Sequence, residues 1–203
     1  MEQGETGVLA GFCALEGLDG SGTTTQAGLV CEALTREGRG CFATCEPTRG
    51  FVGRQIRHVL RGRYRAEAQT IALLFAADRT EHVVEIRAHL ERGKPAVTDR
   101  YLFSSLAYQS LGCAFEYVAE LNAGFPLPEL VVFLDTPVEV CTQRLRERGH
   151  AELYESADIQ ERILENYERA FEHYGSAGIR IRRLDGTADP ATLCREICAL
   201  IRE

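Results

Sequence analysis

The sequence predicts an α/β fold: a parallel β-sheet covered by helices on both faces. Short apolar runs alternate along the chain with longer segments of helical period. Most of the runs are too apolar to show the in-and-out alternation of a half-exposed strand, which suits strands buried on both faces. No repeat, low-complexity tract or Pro/Gly linker divides the 203 residues, so the chain reads as one domain over residues 1–203.

Strands are expected at residues 12–15, 41–45, 96–98, 130–134 and 179–184. The first helix is expected over 24–37, with Gly38 as its C-terminal stop, and the second over 51–60 after a glycine. A long third helix, 67–92, ends at Gly93; two short ones follow at 104–111 and 115–122. Residues 137–148 begin with a proline in the first helical turn, where its missing N–H costs nothing, and helices over 157–174 and 190–202 complete the chain. Residues 149–155 form a polar stretch between two helices, either a plain surface loop or a mobile lid.

Composition narrows the function. Hydrophobic residues make up 45% and charged residues 26%, which excludes disordered, collagen-like and coiled-coil chains. A net charge of −7 is a poor basis for binding nucleic acid or a membrane surface, so neither partner is expected and small-molecule chemistry is favoured. No apolar stretch reaches the length of a membrane span and no signal peptide is legible at the N-terminus, so a cytoplasmic location is expected. The eight cysteines, at 13, 31, 41, 45, 113, 141, 194 and 198, lack zinc-ligand spacing and are expected to be reduced thiols packed as small hydrophobes. Of 23 basic residues only one, Lys94, is lysine; the other 22 are arginine.

That imbalance bears on the most informative motif. After the first strand comes Glu16-Gly17-Leu18-Asp19-Gly20-Ser21-Gly22-Thr23-Thr24-Thr25, and a helix follows at once. The spacing is that of the phosphate-binding loop G-x-x-x-x-G-K-[ST], with Thr23 where lysine is usual. Gly17, Gly20 and Gly22 let the backbone approach phosphate oxygens, and the N–H groups through Leu18, Asp19, Ser21, Thr23 and Thr25 face them at a helix N-terminus. Thr24 stands where a hydroxyl would bind Mg²⁺. The ammonium that offsets charge on the β- and γ-phosphates is lost. The alternative is a glycine-rich strand-to-helix turn with no ligand.

Three further segments follow in order: Glu46-Pro47-Thr48-Arg49-Gly50, Leu74-Phe75-Ala76-Ala77-Asp78-Arg79, and Asp99-Arg100-Tyr101-Leu102-Phe103-Ser104-Ser105-Leu106-Ala107-Tyr108-Gln109. Together with the phosphate loop they resemble thymidylate kinases, P-loop nucleoside monophosphate kinases that move the γ-phosphoryl group of ATP onto dTMP. The resemblance runs from about residue 12 to residue 184. It implies a three-layer P-loop NTPase fold with a five-stranded parallel sheet and a small lid at about residues 144–156. It also implies ATP and Mg²⁺ as cofactors, dTMP as substrate, a place in thymidine nucleotide synthesis, and a homodimer.

The resemblance also assigns roles. Asp99, at the end of a buried strand, would hold Mg²⁺ with Thr24, and Arg100 would clamp the acceptor phosphate. The alternative for this Asp-Arg pair is a buried salt bridge. Phe75 would stack on thymine and Arg79 bond a base carbonyl; without the resemblance, Phe75 reads as core and Arg79 as a solvated helix residue. Tyr108, beside Ser104 on its helix, would crowd the sugar 2′ position, Ser105 matches a base-contacting position, and Asp19 would reach the 3′-OH. Arg49 matches a position where some members bind the acceptor phosphate and others carry glycine. The basic stretch Arg54, Arg57, Arg61, Arg63 and Arg65 reads as a solvated helix and loop.

Arg144, Arg146 and Arg148 precede the polar loop; the resemblance makes them lid arginines, and a basic helix end favoured by the macrodipole is the other reading for Arg146 and Arg148. Lys94 precedes the third strand and belongs at its far end. The working expectation is therefore that Arg144 or Arg148 supplies the missing cation. Two other functions stay open: a kinase for a different nucleoside or nucleotide, and a nucleotide-binding regulator that has lost catalysis.

Overall fold

The computed structural model describes residues 7–148 and 156–203. Five strands, β1 (Val8–Gly17), β2 (Phe42–Cys45), β3 (Ala96–Asp99), β4 (Leu127–Asp135) and β5 (Arg180–Asp185), form one sheet in the order β2-β3-β1-β4-β5, and every pairing is parallel. The helices are α1 (Thr23–Arg36), α2 (Phe51–Leu60), α3 (Ala68–Leu90), α4 (Leu102–Gln109), α5 (Phe115–Asn122), α6 (Val138–Arg148), α7 (Ala157–Tyr174) and α8 (Pro190–Arg202). Each expected element is present. β1 and β4 run several residues longer than their apolar runs, because their first residues pair with each other while lying at the partly exposed edge of the core.

Alternation along the strands divides the interior into two layers. Phe12 and Ala14 of β1, with Val131 and Phe133 of β4, face α3, α4, α5 and α7. Cys13 and Leu15, with Leu130, Val132 and Leu134, face α1 and α8. Both faces of the central strands are thus sealed, which is why their sequences read as continuous apolar runs.

One expectation is corrected. Cys31 and Cys41 are joined in a disulfide, not free. The turn after α1 passes Gly38 (φ 81°) and Gly40 (φ 60°) and brings the two Cα atoms to 5.1 Å, a proximity the ten-residue spacing does not disclose. Cys13, Cys45, Cys113, Cys141, Cys194 and Cys198 are free, as expected. No helix among the described residues is long and apolar enough to cross a membrane. The expected lid falls largely on residues 149–155, outside the described residues, as does the Arg148 side chain.

Candidate active site

Strand order reverses at β1, between β3 and β4, and the C-terminal ends of these strands open onto a cleft of about 1200 Å³. Residues 18–22 turn the chain from β1 into α1. Gly22 sits at the helix N-cap with φ 105°, and no side chain caps the first turn, so its N–H groups are left for a ligand. Gly20 (φ 92°) lies so close to α6 that a Cβ there would meet the Cys141 carbonyl oxygen at 2.6 Å. Leu18 is core, Thr23 is buried, and Thr24 and Thr25 are exposed at the mouth of the loop.

Arg144 holds this loop from behind. Its Nη1 donates to the carbonyls of Gly20 (3.2 Å), Ser21 (3.3 Å) and Gly186 (3.2 Å), and Nη2 also donates to Gly186. The guanidinium therefore ties the outward-facing carbonyls of the phosphate loop to the β5–α8 turn, and does not point into the cleft as a lid arginine would. Lys94 lies at the far end of β3 with its stem against Gly40, as its position in the sequence implies.

At the loop's mouth the Thr24 hydroxyl donates to Asp99 Oδ2 at 2.5 Å, and Asp99 Oδ1 is buried without a partner among the described residues. A hydroxyl and a carboxylate at this spacing, with one carboxylate oxygen unsatisfied, form the hard-oxygen donor set that Mg²⁺ prefers. The residues present fit that ion.

Next to Asp99, Arg100 adopts φ 71°, the only non-glycine residue with positive φ among those described. Such a backbone costs about 1–3 kcal/mol and persists only where surroundings over-determine it. Here its N–H donates to Leu15 O at 2.9 Å, and its carbonyl accepts from Thr98 Oγ1 at 2.8 Å. Nη1 donates to Gly17 O (2.9 Å), Ser104 Oγ (3.0 Å) and Tyr167 OH (3.1 Å), while Nη2 donates to Asp19 Oδ1 (2.7 Å). The guanidinium also lies 4.8 Å from the Tyr108 ring centre. Behind these hydroxyls is Glu16, wholly buried, whose Oε2 accepts from Ser104 (2.5 Å) and Tyr167 (3.0 Å) and whose Oε1 accepts from Tyr101 N (2.9 Å). Burial pushes the Glu16 carboxyl up to about 7, against the pull of Ser104, Arg100, Tyr167 and Tyr101.

With this geometry in view, the comparisons with known proteins are direct. The thymidylate kinase family model matches residues 15–185. A Methanococcus vannielii protein named "Probable thymidylate kinase" is 42% identical over 162 residues, covering 79% of this chain and 78% of that one. A Pyrococcus abyssi protein of the same name is 37% identical over 203 residues, covering 94% and 95%. The chain belongs to the thymidylate kinase family.

Several residues that the thymidylate kinase resemblance singles out meet on the cleft wall: Asp19, Thr24, Arg49, Phe75, Asp99, Arg100, Ser104 and Tyr108. Arg49 is exposed at the rim and Phe75 half-buried. Arg79 and Ser105 are elsewhere. Arg79 is fully buried beneath the wall, so the solvated-helix reading is wrong; Nε and Nη2 donate to Glu46, Nη2 also to Ser105 Oγ (2.8 Å), and Nη1 to Asn122 Oδ1. Glu46 is in turn bonded by His82 at 2.9 Å. One turn of α3 thus secures the loop after β2 at two points, since Asp78 accepts from Thr48 N and Thr48 Oγ1, both at 2.6 Å. The loop begins with a cis Glu46–Pro47 peptide.

Thymidylate kinase motifs located this loop but not its supports. Arg57, read from sequence as a solvated helix residue, is half-buried and donates to the carbonyls of Pro47 and Thr48. Gln109 lines the cleft with its Oε1 buried and without a partner among the described residues. Glu16 and Glu46 carried one sequence signal, a charge at the end of an apolar strand, where a parallel sheet normally hands over to its ligand loops.

Proposed function

We propose that this chain transfers the γ-phosphoryl group of ATP to dTMP, giving ADP and dTDP. The observation that carries the reading is the meeting, at one cleft, of an uncapped phosphate loop, the Thr24–Asp99 oxygen pair and the Arg100–Asp19 pair. ATP phosphates sit on the N–H groups of the loop and of the uncapped first turn of α1, save that of Ser21, which donates to Leu18 O at 3.0 Å. Thr24 and Asp99 would hold Mg²⁺, which would supply positive charge to offset that of the transferring group. Arg100 keeps Nε–H and one Nη2 proton without an acceptor among the described residues, enough for a bidentate grip on the acceptor phosphate. Asp19 meets the sugar, Tyr108 closes against its 2′ position, and Phe75 stacks on the base, with Arg49 at the phosphate side and Ser104 supporting Arg100.

In this reading Arg79 and Ser105 reach the base only if the wall opens, and they act first as the floor beneath Phe75. The cation missing from position 23 comes from the end of α6, with Arg148 on the phosphoryl group and Arg144 holding the loop. Residues 144–156 are the lid of a single domain. A cytoplasmic location, where ATP and nucleoside monophosphates are at hand, belongs to this reading. A homodimer completes the reading: α3 leaves Leu73, Ala77, Thr80 and Val84 exposed along one stripe, with Leu73 and Val84 50% and 66% exposed.

A coupled assay with ATP, Mg²⁺ and dTMP, run beside Thr23→Lys and Arg148→Ala, tests the reaction and the source of the cation. Turnover is expected in the unmodified chain and in Thr23→Lys, with a loss of about 10²-fold or more in Arg148→Ala. No turnover with dTMP, or turnover only with another nucleoside monophosphate, refutes the proposed acceptor. Sedimentation of the unmodified chain as a monomer refutes the dimer.

A further inference from the structure

Glu16 has no place in the reaction as described so far, yet it is a carboxylate in the interior with no cation touching it. Its nearest positive charge, Arg100, lies one hydroxyl away. Arg100 Nη1 donates to Ser104 Oγ and Tyr167 OH, and both hydroxyls pass their own protons on to Glu16 Oε2. The two hydroxyls also bond each other at 2.8 Å, and Tyr167 OH reaches Gly17 O at 3.2 Å, so they form one network between guanidinium and carboxylate. Glu16 also grips the backbone: Oε1 accepts from the N–H of Tyr101, the residue immediately after the left-handed Arg100. One carboxylate thus holds both ends of Arg100, the peptide that follows it and the tip of its side chain. Asp19 takes the opposite face of the guanidinium at 2.7 Å, and Tyr108 lies against its plane.

A hydrophobic side chain at position 16 would fill the same space more cheaply than a buried charge. What a carboxylate adds is direction. A carboxylate within reach of both hydroxyls accepts their protons and so turns oxygen lone pairs toward Arg100 Nη1, which Gly17 O holds from the other side. Tyr167 remains a donor throughout, because burial and the neighbouring carboxylate push its phenol up.

We propose that Glu16 is a positioning residue for acceptor binding: through Ser104 and Tyr167 it fixes the guanidinium and left-handed backbone of Arg100 so that its free N–H groups meet the phosphate of the incoming nucleotide. This rests on the reading of Arg100 as the acceptor-phosphate clamp. The donor nucleotide, on the other side of the phosphate loop, is not involved.

The test is steady-state kinetics of the full chain and its Glu16→Gln variant, varying dTMP and ATP separately from pH 5.5 to 8.5. Glutamine keeps the shape and one acceptor oxygen but puts an NH₂ where either the two hydroxyls or the Tyr101 N–H donate. The expected result is a rise of about 10-fold or more in KM for dTMP, with KM for ATP within twofold. The pH profile provides a readout that a merely structural role does not move. The groups facing Glu16 are Arg100 and Tyr101 at the β3–α4 junction, Ser104 on α4 and Tyr167 on α7, with Asp19 beyond Arg100. Burial brings the Glu16 titration near neutrality. In the unmodified chain kcat/KM for dTMP carries two ionisations, that of Glu16 near 7 and that of the substrate phosphate; Glu16→Gln retains only the latter.

Ser104→Ala and Tyr167→Phe carry the same test should Glu16→Gln not fold. Each is expected to raise KM for dTMP selectively, and combining either with Glu16→Gln adds less than the product of the single effects. Equal loss for both substrates, or unchanged KM for dTMP with an unchanged pH profile, overturns the proposal. Arg100→Ala separates the two readings: if it leaves KM for dTMP unchanged, the Arg100 clamp itself is wrong; if it raises KM while Glu16→Gln does not, only the role of Glu16 is wrong.

Discussion

Glu46→Ala removes the one carboxylate among the described residues that is bonded to the Arg79 guanidinium, which has no exposed surface. The Arg79 and Glu46 side chains are 0% and 2% exposed, and they meet at 2.5 Å between Nη2 and Oε2, with Nε at 3.1 and 3.2 Å from the two oxygens. After the substitution Arg79 keeps Asn122 and Ser105 as acceptors and the rings of Tyr101 and Phe125 at 5.1 and 5.6 Å, all neutral groups. Leaving one member of a buried pair without its counter-charge costs about 3–5 kcal/mol. For a chain of this length each kcal/mol lowers Tm by about 2–4 °C, so a drop on the order of 10 °C is expected in a thermal melt. Urea unfolding at pH 7 measures the free energy directly.

The sign with pH is also determined. Burial acts to raise the Glu46 carboxyl, but Arg79 and His82 together outweigh it and hold it below the usual value. Its contribution is therefore complete above the unfolded carboxyl's range, about 4.3, and fades as pH falls through the lower folded value. The deficit of Glu46→Ala shrinks correspondingly toward acid. Replacing Arg79 and Glu46 together by methionine is expected to cost less than the sum of the two single changes. A loss under about 1 kcal/mol in Glu46→Ala would refute the claim that Arg79 is sealed beneath the cleft wall.

Three further outcomes are expected. Asp99→Asn lowers turnover by about 10²-fold or more and weakens its dependence on added Mg²⁺, read by titrating the metal in the coupled assay. Gly20→Ala forces a Cβ against the Cys141 carbonyl from a φ of 92°, and a loss of about 1–3 kcal/mol on urea unfolding, with weakened ATP binding by calorimetry, is expected. Arg144→Ala frees the carbonyls of Gly20, Ser21 and Gly186 and raises KM for ATP about 10-fold while leaving KM for dTMP unchanged; the reverse pattern would show that Arg144 serves the acceptor.

The features legible in the sequence are those whose causes are local. Strand 130–134 announces itself because burial on both faces leaves only apolar residues, and α8 because Asp189 caps Thr192 N three residues on and Pro190 opens the helix. The phosphate loop is local as well, a run of ten residues whose glycines are required by their own backbone angles. Arg79 was not legible, because what turns a charged helix residue into a buried one is Glu46, 33 residues earlier on another element. Arg57 and the Cys31–Cys41 pair escaped although their partners lie within ten residues, because a turn of the backbone, not the spacing, brings them together.

By itself, the sequence determined the order of elements, the place of the phosphate loop and, through Asp99 and Arg100 at the end of an apolar strand, the edge of the sheet where chemistry collects. It also settled that the γ-phosphate cation is not a loop lysine, since Thr23 stands there and Lys94 lies at the opposite end of β3. The tertiary structure alone decided which charges face the cleft and which support it. Glu16 finds its partners 88 and 151 residues away, and Arg144 finds its carbonyls more than 120 residues back. A side chain's charge is written in the sequence, but its role depends on solvent and neighbours, and those exist only once distant segments have packed.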